Sequence, residues 1–113
     1  MIEKILLDFL TSRLEVPVYC AAPHPKPARF VLIQRTGGGR RGLLKTATVA
    51  VQSWAESLYQ AELLGANVLA AMDELVQWPQ IAACRLDADY PFPYPEEKRH
   101  RVQAVYNITY YED

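Results

Sequence analysis

The chain has 113 residues, half of them hydrophobic and 22% charged, enough apolar material for one folded core and too much for a disordered chain. A net charge of −1 excludes a molecule that is basic overall and binds nucleic acid through bulk charge. No apolar run approaches the ~18 residues of a membrane span, and the N-terminal segment carries Glu3 and Asp8 with no small-residue cleavage site, so neither a membrane span nor a signal peptide is expected.

Ile2, Ile5, Leu6, Phe9, Leu10 and Leu14 recur at spacings of three and four, which predicts an amphipathic helix ended by Pro17. Val18 to Ala21 suits a short strand. Pro23, Pro25 and Pro27 then impose extended, irregular backbone. Arg29 to Arg35 is a predicted strand, with Phe30, Leu32 and Gln34 on one side and Val31, Ile33 and Arg35 on the other. Thr36 to Gly42 holds four glycines in seven residues and is expected to be a flexible loop. Thr46 to Trp54 is the next strand, with Ala47, Val49 and Val51 facing inward.

Ser57 followed by Gln60 reads as a capping box. The helix it opens is expected to run to about Val76, with Ala61, Leu64, Val68, Met72 and Leu75 buried, before Pro79 ends the segment. Ile81 to Asp89 is a predicted strand, Tyr90 to Pro95 alternates aromatics with prolines, and Arg99 to Tyr111 is the last strand. There Val102, Ala104, Tyr106, Ile108 and Tyr110 face inward. This order predicts a single α+β domain over 1–113: one mostly antiparallel sheet of four to five strands with two amphipathic helices on one face.

Charge is unevenly spread. Lys26, Arg29, Arg35, Arg40, Arg41 and Lys45 fall between Val16 and Ala55 with no acidic residue among them, giving +6 there and −7 elsewhere. Such a bipolar chain can attract copies of itself head to tail. A solvated basic hairpin is the alternative.

Signs of catalysis are weak. Gly37 to Gly42 leads into a strand rather than the helix that a phosphate-binding loop requires. Asp87/Asp89, Asp73/Glu74 and Glu96/Glu97 read as solvated carboxylates, and Ser53, Ser57 and Cys84 lack a histidine partner identifiable by spacing. Cys20 and Cys84 form no C-x-x-C pair, and with His24 and His100 the only histidines, no zinc site is supported. The chain is expected to be non-enzymatic, without metal or cofactor.

Pro27-Ala28-Arg29-Phe30-Val31-Leu32-Ile33-Gln34-Arg35-Thr36-Gly37-Gly38-Gly39, the later Val51-Gln52-Ser53-Trp54-Ala55, the cap at Ser57 and the proline-rich turn before a long last strand together resemble the tail-terminator, or tail-completion, proteins of long-tailed bacteriophages and prophages. The resemblance spans 2–111. It departs at Tyr90 to Pro95, where relatives tend to carry a Gly- or Asp-containing turn. It implies a non-catalytic virion component that forms a hexameric ring on the head-proximal end of the tail tube, stops tube polymerisation and joins tail to head. The implied partners are other copies of the chain, the tail-tube protein and the head connector. The implied location is the host cytoplasm during assembly, then the virion neck. Two other readings draw on the basic segment: a neck adaptor touching the DNA that passes through, or a host protein binding an anion or nucleic acid with Arg40 and Arg41.

The candidate assembly interface therefore has two parts. Arg35, Arg40, Arg41 and Lys45 lie in or beside the basic hairpin. Tyr90, Phe92 and Tyr94, spaced by two, share one face of a stiff arm. Phe92 is expected to fold back onto its own sheet, and Tyr90 and Tyr94 to stay outward.

Overall fold

The computed structural model describes residues 1–95 and 98–111. Two helices, α1 (Ile2–Arg13) and α2 (Leu58–Met72), accompany strands β1 (Val18–Tyr19), β2 (Phe30–Arg41), β3 (Leu44–Ala55), β4 (Ile81–Pro91) and β5 (His100–Tyr111). The strands form one sheet in the order β1-β2-β3-β5-β4. β1 runs parallel to β2, and every other pairing is antiparallel. The fold is α+β, with both helices packed on the same face.

The core lies between helices and sheet and follows the two periodicities. Ile2, Leu6, Phe9 and Leu10 of α1 and Ala61, Leu64, Val68, Ala71 and Met72 of α2 are buried. They meet Val31, Ile33, Ala47, Val49, Val51, Ala104, Tyr106, Ile108 and Tyr110 from alternate positions of β2, β3 and β5. Ser57 caps α2, its Oγ accepting from the Gln60 amide at 3.2 Å. α2 stops at Met72, short of the expected Val76. A 3-10 turn at Leu75–Gln77 follows, drives Leu75 fully into the core and delivers Trp78 edge-on to Phe9 at 5.1 Å. No helix is long and apolar enough to cross a membrane among the described residues.

The expected flexible loop at Thr36 to Gly42 is instead a strand. β2 continues to Arg41, β3 starts at Leu44, and only Gly42 and Leu43 connect them. Gly42 has φ +62° and open space around it, while Leu43 keeps a negative φ. A two-residue hairpin of the II′ type asks for that pairing. Glycine at 38 serves close packing rather than looseness: a Cβ there would lie 2.2 Å from Arg35 Nη2 and 2.8 Å from the Thr46 carbonyl.

The sheet's other face is also covered at one end, which single-face alternation does not anticipate. Phe30, Leu32 and Trp54 are buried there, with Tyr19 and Tyr94 against them. The two proline-rich segments lie over this patch because Arg99 binds them together. Its guanidinium donates to the carbonyls of Pro27 and Ala28 and stacks 5.8 Å above the Phe30 ring.

Candidate assembly interface

The four hairpin cations do not point one way. Arg35 and Arg40 differ by an odd number of positions, so simple alternation would send them to opposite faces. A β-bulge between Arg35 and Gly37 shifts the phase. Arg35 lies opposite Val49, and Arg40 opposite Lys45, all on the face that bears the helices. Arg35, Arg40 and Lys45 therefore converge with Met1, Glu3 and Tyr110 around a recess of about 320 Å³. Arg35 is fixed there by its Nε donating to the Gly37 carbonyl at 3.2 Å, and Arg40 by its Nε donating to the Gly42 carbonyl at 3.1 Å. Arg41, opposite Leu44, projects from the other face.

The charge segregation read from sequence is partly neutralised in the fold. Arg29 pairs with Glu56, just past the acid-free stretch, through contacts of 3.0 Å from Nε and 2.6 Å from Nη2. That hydrogen-bonded pairing lowers the Glu56 carboxyl below its usual range. Lys26 lies over the Trp54 and Tyr94 rings at 5.9 and 5.8 Å. The other four cations of the acid-free stretch, Arg35, Arg40, Arg41 and Lys45, lie in or beside the hairpin arm.

Tyr90, Phe92 and Tyr94 form the second cluster. Strand-like pairing continues beyond β4: the Phe92 amide donates to Arg101 O, and Tyr94 and Arg99 exchange backbone bonds of 3.2 and 3.3 Å. Tyr94 folds back onto Trp54, with centroids 5.3 Å apart. Phe92 is 39% exposed and Tyr90 41%, edge to face at 6.2 Å. The expectation is thus reversed for two rings, since Tyr94 packs internally and Phe92 stays outward. The organiser is Arg101, which alternation along the last strand turns outward but whose role no local pattern marks. Its guanidinium sits 3.9 Å from the Phe92 centroid, 4.9 Å from Tyr94 and 5.1 Å from Trp54, and its Nε donates to the Phe92 carbonyl at 2.6 Å.

Beside it runs an amide ladder that starts from a buried glutamine. Gln52, only 3% exposed, donates to the Gln103 side-chain oxygen at 2.8 Å and accepts from the Trp54 indole at 3.1 Å. Gln103 donates in turn to the Tyr90 hydroxyl at 2.6 Å. The ladder crosses β3, β5 and β4 and ties Tyr90 to the sheet centre. The Val-Gln-x-Trp-Ala run was the sequence signal for it, legible as a motif but not as a network.

Groups with catalytic potential are otherwise occupied. Ser57 serves as a cap, Ser53 is buried, and Glu74 pairs with Arg13 at 2.7 Å. Burial, and secondarily Asp73, pushes the Cys84 thiol up to about 11, so it is protonated near neutral pH. Asp87 falls in a bulge of β4, between Leu86 and Ala88. Glu96 and Glu97 lie outside the described residues. Among the described residues no group of three or more His, Cys, Asp or Glu side chains is placed to hold a metal ion.

No family model matches the chain, and no curated protein matches it. Among solved structures, a chain from the virion of a native gene transfer agent particle is similar in fold. It is 13% identical, with a TM-score of 0.54, covering 95% of this chain and 84% of that one.

Proposed function

We propose that this chain is a non-catalytic, phage-like virion component. In this reading it forms a ring, hexameric by family resemblance, at the head-proximal end of a tail tube, ends tube growth and joins tail to head. The observation that carries the reading is the fold likeness to a virion chain over 95% of the present chain, alongside the tail-terminator pattern of residues 27–39 and 51–57. The basic arm of a chain whose acidic residues lie elsewhere in the sequence fits head-to-tail contact between copies. The tail-tube protein and the head connector are the further partners. The protein acts in the host cytoplasm during assembly and thereafter in the virion neck.

Electron microscopy of particles from a strain lacking the gene tests this. Headless tails of irregular length are expected, and tails of normal length joined normally to heads would overturn the reading.

The recess of Arg35, Arg40 and Lys45 favours a second reading, in which the ring wall touches passing DNA. Its signature is affinity for duplex DNA that falls steeply with salt through counterion release. Binding to tubes that is insensitive to salt, with no DNA affinity, removes it.

A further inference from the structure

α2 is apolar on two sides. Its inward stripe is buried, yet Tyr59, Leu63, Ala66 and Ala70, spaced i, i+4, i+7 and i+11, are all exposed, Tyr59 at 70%. A helix that is apolar all round ordinarily has cover on both sides. α2 contains no Lys or Arg, and its single charged residue is Glu62. Where α2 passes over the ends of β4 and β5, a recess of about 200 Å³ opens, larger than the ~150 Å³ that accommodates a benzene molecule. Val68, Leu69, Val102 and Ala104 line it, and Glu62 and Asp89, both exposed, stand at its rim. Among the described residues, no basic side chain lines this recess.

The opposite chemistry sits at the hairpin tip. Leu43 is 86% exposed, and Arg40 and Arg41, also exposed, precede it within three residues. An apolar anchor flanked by cations matches an apolar recess rimmed by carboxylates. The two cannot meet within one chain. The recess reaches β3 at Val51 and Ser53, while the tip adjoins Leu44 at the other end of that strand, roughly 25 Å away at ~3.3 Å per residue.

We propose that the hairpin tip of one copy docks into the α2–β4–β5 recess of the next, Leu43 entering the apolar floor and Arg40 and Arg41 facing Glu62 and Asp89. This rests on the ring reading above and names its subunit contact. Because tip and recess occupy different ends, the contact is heterologous, the kind that generates rings when the rotation closes. Buried apolar anchors supply most of such an interface's strength, and the charges set its register.

The test is a dilution series of the ¹⁵N-labelled chain up to millimolar concentration, read by amide chemical shifts. Concentration-dependent shifts at Gly42 and Leu43 together with Gly65, Ala66 and Val102 are expected, with an apparent Kd that rises with salt. Reversing the tip (Arg40→Glu with Arg41→Glu) or the rim (Glu62→Arg with Asp89→Arg) should weaken association at least tenfold, and a chain carrying both reversals should regain it. All four positions are exposed, and circular dichroism verifies each variant's fold. Leu43→Asp should weaken association without being rescued by the reversed rim. Shifts confined to another surface, none at millimolar concentration, or a double reversal that fails to recover would overturn the docking. So would a tip reversal that abolishes tube or connector binding while leaving the dilution shifts unchanged, which would assign the tip to a different protein. The ring reading stands or falls separately, on the tails of the gene-deleted strain.

Discussion

Replacing Gln52 by Leu tests whether the amide ladder holds the outer face of the sheet. Leucine roughly preserves volume, so the change removes hydrogen bonds without opening a large cavity. Three partners are affected unequally. Gln34, whose side-chain oxygen accepts from Gln52 Nε2 at 3.4 Å, is exposed and recovers water, at little cost. Gln103 is half-buried and keeps its bond to Tyr90. The Trp54 indole N–H is the sensitive group: Trp54 is 3% exposed, and Gln52 is the acceptor it uses. An orphaned buried donor costs about 1–3 kcal/mol, so the expected destabilisation is ~2 kcal/mol. For a domain of this size that lowers Tm by roughly 8 °C. Thermal and urea melts should show the lower midpoint with an unchanged m-value. Adding Trp54→Phe removes the orphaned donor, so the double variant should lose less than the sum of the single effects. A Gln52→Leu protein that melts within ~0.5 kcal/mol of the parent would refute the reasoning, as would strict additivity in the double variant.

The aromatic arm should divide under alanine substitution. Tyr94→Ala should cost ~2 kcal/mol because its ring packs on Trp54, and Phe92→Ala ~1 kcal/mol or less, the scale of an exposed cation–π contact; chemical denaturation of both variants distinguishes them. Gly38→Ala should destabilise by about 1–3 kcal/mol, since the Thr46 carbonyl 2.8 Å from the new Cβ belongs to the paired strand and cannot swing aside as Arg35 can. Cys84 gives a pH signature. Burial holds its folded pKa at about 11, above the 9.0 of a free thiol, so its contribution is fully present below pH 9 and is lost as pH rises through 11. Relative to Cys84→Ala, the parent's Tm should fall over that window, and thiol alkylation in the folded protein should stay slow until its upper end.

Much of this fold was legible because the inner faces of β3 and β5 keep strict alternation and Ser57 with Gln60 marks a helix start. The hairpin was misjudged for a physical reason. Glycines at 37–39 carry no periodic signal, and the constraint that makes Gly38 necessary is a strand edge paired across the turn. The outer aromatic cluster was hidden because Arg99 reaches carbonyls at Pro27 and Ala28, about seventy positions away, a contact that no local pattern encodes. The Thr36 bulge, which sets where Arg40 points, likewise has no distinguishing residue type. α2's outward stripe was present in the sequence all along, but periodicity identifies a face without saying what covers it.

The two-residue turn also makes the arm a ruler with coarse divisions. With only Gly42 and Leu43 outside the ladder, the hairpin has no slack in which to absorb a length change. One extra residue in either strand shifts the register, and one in each strand moves the tip about 3.3 Å outward while turning its side chains to the opposite face. Two in each strand restore the facing and lengthen the arm by ~7 Å. Related chains that keep the tip cations on the same face while reaching a nearer or farther neighbour should therefore differ in arm length by paired steps, with odd changes compensated by another bulge.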